Sequence, residues 1–415
     1  FVNAYSLWNI AVNKTLKLAN EKISILDSVN RVCDSDIRSP SINPLFNNTA
    51  FDGFAVIAKE TKGLSLKKQK KFKIIKTIAA GDNPKIKNYC KNSVVEIMTG
   101  GLIPTQFDSI MAVEKAKYFP SKKNPTHIII DQEIKKFSFV RFAGEDYKLN
   151  DVVIKKGELI KPKHIMVLTT LGIQEIKVKK KPNIFFLSTG NEIVSYKSKN
   201  ILPWKVRNSN NHYLKAIVDS LYFNIVDGGT IKDNKPEKFK KILKKIKRLN
   251  INIIITSGAI SAGRYDFVPE LVNKLGFKKI FKGVKIKPGK PIMLSKLKNN
   301  NKLLFGLPGN PISAAAGFRF FVYPLIRKSL GMSAEKNLKA KLTNKYLKVK
   351  KFTHFVRCYK KINNNGLVEL EVLKGQQSNK IKSFIQANCW GVFLEGKDRF
   401  KKGDIIDWVP LIPGS

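Results

Sequence analysis

The sequence predicts a multidomain α/β protein, in which a parallel α/β domain is preceded and followed by small β domains. Strand and helix segments alternate between residues 183 and 329, and this alternation is typical of a parallel sheet with helices on both faces. Short apolar segments separated by Gly and Pro fill residues 47–137 and the region after Gly331. With 415 residues, 43% of them apolar, the chain is long enough to form several cores.

Apolar runs and amphipathic segments define the α/β domain, which we place at residues 177–330. The basic segment 177–182 marks its boundary. We predict strands at 183–187, 224–231, 251–256 and 303–307, and helices at 212–222, 236–249, 267–275 and 311–329.

The regions on either side have weaker patterns. A β domain is predicted at 47–139, and a small terminal barrel or sandwich at 331–415, with the barrel preferred. Their strands are predicted at 72–79, 93–98, 109–114, 127–130, 352–362, 367–373 and 404–408. Helices are predicted after Ser6, from Asp27 to Arg38, and from Ile165 to Leu171.

Charge is the most extreme property of the composition, with 77 basic and 31 acidic residues and a net charge of +46. Lysines occur in every segment, and no zinc-finger, helix-turn-helix or RNA-binding signature accompanies them. We therefore predict no nucleic-acid partner and treat the charge as a solvated surface. Such a field still attracts anions to any cleft.

Cysteine spacing and hydropathy favour a cytoplasmic protein. The four cysteines are far apart, without the spacing of metal ligands, so free thiols in a reducing compartment are expected. No apolar run is long enough to span a membrane, and the N-terminus lacks a signal-peptide pattern. The four histidines are isolated, and we assign them no role.

One strand–turn–helix junction indicates an oxyanion site. The apolar run 303–307 ends at Pro308-Gly309, and a helix is expected to start with Asn310 as N-cap and Ser313 in its first turn. Free N–H groups at such a start attract anions. Just upstream, the segment 287–291 carries Lys287 and Lys290 between prolines. Either segment alone is explained as an ordinary turn with surface lysines, whereas the two together favour an anion site.

The other loops at the carboxyl ends of the predicted strands carry glycines and carboxylates. Ligands of open α/β sheets bind beyond this edge, and Gly190 and Gly258 allow close backbone approach. Glu192, Asp233 and Asp266 are hard oxygen ligands suited to Mg²⁺. The alternative for Asp233 and Asp266 is that each caps a helix.

Taken together, these loops give the chain a resemblance to the MoeA/gephyrin E-domain family, the molybdopterin molybdenumtransferases. The matching segments occur in family order over nearly the whole chain. They are Asn48–Gly53, Met98–Pro104, Phe142–Asp146, Ser188–Glu192, Arg207–Asn210, Thr256–Phe267, Lys287–Pro291 and Gly306–Ser313.

The resemblance implies an architecture and a reaction. It implies an elongated helical linker domain from residues 1–46 and 140–176, with the β domain inserted into it, and a homodimer whose cleft is completed by the partner's β domain. The family inserts molybdate into adenylylated molybdopterin with a divalent metal such as Mg²⁺ and releases AMP. A transfer contact with the molybdopterin adenylyltransferase follows from the shared pathway. Molybdate and tungstate both stay open as the metal source.

The resemblance also implies roles for individual residues. Residues tied to activity are Asp52, Thr99, Asp146, Glu192, Asp233, Ser261 and Asp266, of which Glu192, Asp233 and Asp266 would hold the metal. Residues tied to molybdate are Lys287, Lys290, Ser313, Arg357 and Ser378, and further substrate contacts are expected at Gly190, Ser257, Gly258, Pro308 and Asn310. Ammonium, guanidinium and hydroxyl groups suit a tetrahedral dianion.

The chain departs from the family pattern at four positions. Asn191 replaces an Asp, Ala259 replaces a Gly, Arg264 stands where an acid is common, and Gly283 stands where some members have Lys. These changes put the metal affinity and the substrate pose in question.

Three other functions compete with the insertase. The molybdopterin adenylyltransferases resemble the α/β domain but carry Thr-Ser-Gly-Gly-Thr-Gly in the third loop, where this chain has Ser257-Gly258-Ala259-Ile260-Ser261. A non-catalytic molybdopterin-binding scaffold would need linkers or appendages that the sequence does not show. A nucleic-acid binder is suggested by charge alone and would show steep salt dependence.

Overall fold

The computed structural model of the protein describes residues 14–219, 221, 223–260, 267–297 and 301–414. The chain forms two compact units. Of the described residues, those within 1–35, 155–165 and 175–415 form the first unit, and those within 36–154 and 166–174 form the second. The helix predicted after Ser6, together with Ser261, Arg264 and Asp266, lies outside the described residues.

The predicted helix from Asp27 to Arg38 is wrong. Strand β1 (Asn20–Ser24) leads into a single 3₁₀ turn, Ile25–Asp27. Asn30 then adopts a left-handed φ of 64°, which a helix does not allow. The buried Val32 and Cys33 form β-bridges with Leu159 and Val178, so their apolar side chains reflect sheet pairing rather than a helix face.

The second unit is built on a six-stranded sheet with one parallel pair of neighbours, Lys70–Ile78 and Ser93–Ile97. The strands lie in the order Ser109–Ala112, Gly53–Val56, Ser93–Ile97, Lys70–Ile78, His127–Ile130 and Lys117–Phe119. The four strands predicted in this β domain are confirmed. The unit also contains the 3₁₀ turns Ala58–Thr61 and Val113–Lys115. Its strands are β2 (Ile37–Arg38), β3 (Asn48–Thr49), β4 (Gly53–Val56), β5 (Lys70–Ile78), β6 (Ser93–Ile97), β7 (Ser109–Ala112), β8 (Lys117–Phe119), β9 (His127–Ile130), β10 (Val140–Arg141) and β11 (Val152–Ile154).

Helix α1 (Pro162–Thr170) confirms the helix predicted at 165–171. Strand β12 (Glu175–Lys179) follows it and pairs antiparallel with β1.

The α/β domain of the first unit confirms the predicted alternation of strands and helices. Its strands are β13 (Asn183–Thr189), β14 (Ile193–Val194), β15 (Val206–Arg207), β16 (Asn224–Ile231), β17 (Ile253–Ser257), β18 (Phe277–Lys282), β19 (Ile286–Lys287), β20 (Met293–Leu297) and β21 (Leu303–Leu307). Its helices are α2 (Asn210–Asp219), α3 (Pro236–Arg248), α4 (Val268–Lys274), α5 (Pro311–Gly317) and α6 (Tyr323–Ser329).

Strand side chains alternate between two cores. Ile184 and Phe186 of β13 pack in the core that contains α2 and the 311–329 helix, whereas Phe185 and Leu187 pack in the core that contains α3 and α4. Strands buried on both faces appear in a sequence as continuous apolar runs. The parallel strands could therefore be predicted from the sequence.

The sheet order is β16-β13-β17-β21-β20-β18. The first four strands are parallel, as predicted. Strand β20 runs antiparallel to both of its neighbours, β21 and β18, and neither β20 nor β18 was predicted. A register shift between Lys279 and Phe281 breaks the alternation of apolar residues in β18, because a bulge adds one unpaired residue.

The predicted long helix at 311–329 is continuous but changes type. Between α5 and α6 the segment Phe318–Val322 is π-helical. Pro324 is the second residue of α6. A proline in a helix removes one backbone donor, and the wider turn accommodates that loss.

The C-terminal region confirms the predicted small barrel. Five strands close in the order Thr353–Ile362, Val368–Val372, Leu338–Leu342, Ile405–Pro410 and Cys389–Phe393, and the last of them pairs back to the first. Strand β19 pairs with Thr353 and His354 at the start of this first strand. The segments 338–342 and 389–393 were missed as strands. The elements are β22 (Leu338–Leu342), β23 (Tyr346–Leu347), β24 (Thr353–Ile362), β25 (Val368–Val372), helix α7 (Lys382–Gln386), β26 (Cys389–Phe393), β27 (Arg399–Phe400) and β28 (Ile405–Pro410).

Candidate active site

The carboxyl ends of three adjacent parallel strands lie side by side. Ser188 of β13 pairs with Ser257 of β17, which pairs with Leu307 of β21. Gly258 donates its backbone N–H to Leu307 O at 3.0 Å. The loops after these strands therefore meet at one edge of the sheet, as the sequence predicts.

Asn210, the first residue of α2, ties two of these loops together. Its side-chain Nδ2 donates to Ser257 Oγ at 2.7 Å and to Gly309 O at 2.8 Å. Ser257 Oγ in turn donates to Pro308 O at 3.3 Å. Asn210 is buried, and sequence reasoning assigned it no role. Its only sequence signal is its place in the family segment Arg207–Asn210.

Glu192 and Asp233 lie around the loop that follows β13. Asn191 donates its backbone N–H to Asp233 Oδ2 at 3.4 Å. The exposed Glu192 carboxylate folds over Gly190, where an added Cβ would lie 2.7 Å from both of its oxygens. Lys205 donates from Nζ to Asn191 O at 2.7 Å. Asp233 does not cap the next helix, because the N-cap of α3 is Lys235.

The oxygen donors of this loop are the type that Mg²⁺ prefers. Asn191 retains an acceptor despite replacing the usual acid, since its buried Oδ1 accepts no hydrogen bond among the described residues. Within the same described part of the chain, no three His, Cys, Asp or Glu side chains cluster closely enough to hold a metal. Asp266, the third predicted carboxylate, is outside that part.

The lysine turn lies beside the start of α5. An added Cβ on Gly289, which has a φ of +105°, would lie 3.6 Å from Ser313 O. Lys287 and Lys290 flank this glycine and are exposed, whereas Ser313 is buried. The structure thus brings the two halves of the predicted oxyanion site together.

Ser378 reaches the same helix start from the C-terminal barrel region. Asn310 occupies the predicted N-cap position, but its side chain makes no capping bond. Instead, Asn310 Nδ2 donates to Ser378 Oγ at 3.0 Å. Ile312 also donates its backbone N–H to Ser378 O at 3.4 Å.

Arg357 is placed differently from the exposed lysines. The residue is 1% exposed on β24, and its guanidinium bonds the loop that carries Ser378. Burial lowers the pKa of Arg357 to about 10, which leaves it cationic at neutral pH. Among the described residues it makes no ion pair with a carboxylate.

In the second unit, the three segments that match the family lie together. They are Asn48–Gly53, Met98–Pro104 and Phe142–Asp146. Thr49 exchanges backbone bonds with Gly100 and Gly101, and it pairs with Val140 at the start of the third loop. Asp52 Oδ1 accepts from Thr99 N at 2.6 Å and from Thr99 Oγ1 at 2.7 Å. These bonds, the backbone one first, lower the pKa of Asp52.

Asp146 is held in the third of these loops. Its Oδ2 accepts from Asn43 Nδ2 at 3.0 Å, and its backbone N–H donates to Asn43 O at 3.0 Å. The loop geometry therefore fixes Asp146 through Asn43, a residue that the sequence did not single out.

No helix among the described residues is both long and apolar enough to cross a membrane.

Three family models match successive parts of the chain. They are the MoeA N-terminal region (domain I and II) at residues 5–172, the probable molybdopterin binding domain at 185–328, and the MoeA C-terminal region (domain IV) at 339–411.

Individual relatives match over nearly the full length. The molybdopterin molybdenumtransferase of Haemophilus influenzae is 30% identical over 395 residues, covering 94% of each chain. That of Staphylococcus aureus is 28% identical over 399 residues, covering 95% of this chain and 92% of its own. The crystal structure of the molybdopterin biosynthesis MoeA protein of Pyrococcus horikoshii superimposes with a TM-score of 0.82 at 26% identity, covering 99% of both chains. The chain belongs to the MoeA family of molybdopterin molybdenumtransferases.

Proposed function

We propose that this protein inserts molybdenum from molybdate into adenylylated molybdopterin and releases AMP. The main support for the proposal is that several anion-binding groups lie together at the start of α5. There the lysine turn of residues 287–291, the buried Ser313 and the barrel-borne Ser378 lie next to the loops that follow the parallel strands. An oxyanion and an extended substrate can thus meet at one sheet edge.

We assign cleavage of the phosphoanhydride of the adenylylated substrate, the step that releases AMP, to the loop after β13 and the neighbouring strand-end loops. Glu192 and Asp233, together with Asp266, would hold Mg²⁺, and Asn191 Oδ1 adds a neutral oxygen to the set. When bound, this ion supplies Lewis-acid polarisation of a phosphoryl oxygen. Gly190, Ser257, Gly258 and Pro308 present backbone to the substrate, and Ser261 belongs to the same segment as Asp266.

The molybdate half is assigned to the oxyanion site. Lys287 and Lys290 provide two exposed ammonium groups, and Ser313 and Ser378 provide hydroxyl groups near a helix N-terminus. Arg357 belongs to this site because it bonds the loop that carries Ser378. Two cations and several neutral donors match the charge of a tetrahedral dianion.

The remaining assignments concern the second unit and the assembly. Asp52, Thr99 and Asp146 are proposed to take part in catalysis, and the protein is proposed to act as a homodimer in the cytoplasm. A transfer contact with the molybdopterin adenylyltransferase would supply the adenylylated substrate.

The direct test is turnover with purified protein, adenylylated molybdopterin, Mg²⁺ and molybdate. We expect AMP release and formation of the molybdenum cofactor, both dependent on molybdate. Lys290→Ala should raise the molybdate concentration for half-saturation by about tenfold, because a charge-assisted contact contributes about 1.5–3 kcal/mol. Lys402→Ala, which removes an exposed lysine from the C-terminal region, controls for the loss of net charge.

The competing functions give other results in this assay and in a parallel assay that supplies ATP and molybdopterin instead of the adenylylated substrate. An adenylyltransferase would consume ATP with molybdopterin and release pyrophosphate, and a binding scaffold would retain the pterin without turnover. Either result, in place of molybdate-dependent AMP release, contradicts the proposal.

A further inference from the structure

A polar cavity of about 570 Å³ lies at the amino edge of the parallel sheet in the first unit. Its wall includes Asn183 at the start of β13, Asn224 at the start of β16 and Asn252 just before β17. The candidate active site lies at the carboxyl ends of these strands. Because β13 has seven residues, the two sites are roughly 20 Å apart. The cavity has the volume of a small-molecule site, and no described residue of the candidate active site lines it.

Side-chain amides at the starts of the strands are joined in a row. Asn224 Nδ2 donates to Asn183 Oδ1 at 3.0 Å, and Asn183 Nδ2 donates to Asn250 O at 2.8 Å. Asn252 Oδ1 accepts from Asn183 N at 2.8 Å. The Nδ2 of Asn252 has no acceptor among the described residues and is not shielded from solvent. The row therefore fixes one amide whose N–H groups are available to a ligand.

Arg31 lines another part of the cavity and is itself held in place. Its side chain is 11% exposed and pairs with Glu21 through Nη2. The same nitrogen donates to Lys179 O at 2.9 Å. Nη1 has no partner within the described part of the chain and, unlike the buried Nε, is open to solvent. A guanidinium that is fixed on one side presents its remaining N–H groups in a defined direction.

Three lysines surround these donors. Lys17, Lys180 and Lys181 line the cavity, and their ammonium groups form no ion pair or hydrogen bond with any described residue. The backbone of Lys17 is anchored, because its N–H donates to Asn301 Oδ1 at 3.1 Å and its carbonyl accepts from Asn301 Nδ2 at 2.6 Å. Four cationic side chains thus line the cavity together with one carboxylate, which is already paired with Arg31.

The helix end at this edge is neutralised by basic side chains. Helices of a parallel α/β domain end at the amino edge of the sheet, where their last carbonyl groups disfavour anions. The buried Lys302 donates from Nζ to Ile246 O at 3.1 Å and also to Leu249 O at the end of α3. Three further basic residues lie in the last turn of α3. The cations therefore outweigh the helix end.

We propose that this cavity is a second anion site, which binds a compact ligand with two or more linked phosphate groups. The separate cations of Lys17, Arg31 and the Lys180–Lys181 pair match successive phosphates of such a chain, and Asn252 Nδ2 donates to a phosphate oxygen. A single tetrahedral anion would contact only part of a cavity of about 570 Å³. Free oligophosphate and the triphosphate of a nucleotide share this chemistry. The site does not depend on the proposed reaction, which takes place at the other edge of the sheet.

Isothermal titration calorimetry with tripolyphosphate, ATP and orthophosphate, without a divalent metal, measures this binding apart from any turnover. We expect tripolyphosphate and ATP to have dissociation constants within about threefold of each other, because the cations contact phosphates in both. Orthophosphate should bind at least about tenfold more weakly. Lys290→Ala should bind tripolyphosphate with wild-type affinity, since Lys290 lies at the opposite edge of the sheet.

Asn252→Asp tests the site with little change in the fold. The new carboxylate keeps an acceptor for the backbone N–H of Asn183 and replaces the free amide donor with an anionic oxygen. Binding of tripolyphosphate should weaken by at least about tenfold. The melting temperature should not fall below that of wild type, because the added charge lies among cations.

Two adjacent lysine pairs provide variants matched in net charge. Lys180→Gln/Lys181→Gln removes two cations from the cavity, whereas Lys67→Gln/Lys68→Gln removes two exposed cations from the second unit. The first variant should weaken tripolyphosphate binding by about tenfold or more, and the second by less than about twofold.

Four outcomes would overturn the inference. They are no measurable binding of tripolyphosphate by wild type, wild-type affinity in Asn252→Asp, equal losses in the two lysine pairs, and loss of binding in Lys290→Ala. Equal losses would show that net charge alone attracts the ligand, and the last outcome would place the ligand at the oxyanion site. A failure of molybdate-dependent turnover contradicts only the proposed function, because the calorimetry involves no reaction.

Discussion

Gly258 lies against Thr189, the last residue of the neighbouring strand β13. A Cβ at position 258 would be 2.3 Å from Thr189 O and 2.8 Å from Thr189 Oγ1, and the φ of Gly258 is +98°. Both the backbone angle and the lack of space therefore require glycine at this point.

The first prediction follows from that contact. Gly258→Ala should lower the free energy of unfolding by about 3 kcal/mol, since overpacking adds to left-handed strain. Gly229→Ala is the matched control, because Gly229 also has a positive φ of +72° but nothing lies within 4 Å of its added Cβ. The control should cost about 1 kcal/mol, from left-handed strain alone. Equal losses in urea unfolding would contradict the close approach.

Ala259 provides a prediction of the opposite sign. It adopts a φ of +49° at a position where the resemblance leads us to expect glycine. Ala259→Gly should therefore raise the free energy of unfolding by about 0.5–1 kcal/mol, because the strain of a left-handed alanine is removed. Thermal unfolding of the two proteins checks this, and a lower melting temperature in the glycine variant argues against the strain.

Asn210 should matter for the alignment of the strand-end loops. Asn210→Ala removes the donor to Ser257 Oγ and Gly309 O, and we expect a loss of about 1–3 kcal/mol because buried acceptors are left unsatisfied. Asn210→Asp should be at least as harmful, since the new carboxylate would face the Gly309 carbonyl oxygen. Denaturant unfolding measures both, and an aspartate variant of wild-type stability would refute the donor role.

We predict that the pKa of the Asp52 carboxyl depends on the hydroxyl of Thr99. The Thr99 backbone N–H and then its hydroxyl lower the pKa of Asp52. Thr99→Val removes only the hydroxyl, so the pKa of Asp52 should rise part of the way toward its ordinary value. Because the depressed pKa stabilises the fold above the unfolded pKa, this contribution is lost as pH falls through the folded pKa. Carboxyl NMR titration of both proteins decides the point, and an unchanged pKa rules out the hydroxyl contribution.

His354 should make the protein sensitive to mild acid. It is 4% exposed, and burial, reinforced by the ammonium groups of Lys348 and Lys287, lowers the pKa of His354 to about 4. Its Nδ1 lies 2.9 Å from the hydroxyl of Tyr346. Between pH 6.5 and 4 the unfolded state binds the extra proton, so the free energy of unfolding falls as pH falls.

The test compares wild type with His354→Gln. The free energy of unfolding should fall more steeply with falling pH in wild type than in the variant between pH 6.5 and 4. The difference in slope is at most about 1.4 kcal/mol per pH unit for one proton. Parallel curves would show that His354 titrates normally.

Much of the α/β domain and several motif contacts were predictable from the sequence. The strand at 303–307 and the helix start at Pro311 follow from local signals, an apolar run and a proline at the first helical turn. The hydrogen bond between Asp52 and Thr99 was not predicted, because the resemblance named the two residues separately and 47 residues separate them. Strand β18 was missed because a bulge interrupts its pattern, and its antiparallel partner β20 was missed with it.

What the sequence by itself determined is the family, the alternating strands and helices, and the residue types of the candidate site, because these depend on local periodicity and on motifs. Only the tertiary structure decided how each side chain is used. Asn310 donates to Ser378 instead of capping its helix, and Arg357 donates to carbonyls of the loop that carries Ser378 rather than facing solvent. The segment after Asp27 became β-bridged rather than helical. In each case the competing partner lies far away in sequence or is a backbone group, and its position is set by long-range packing that no local pattern encodes.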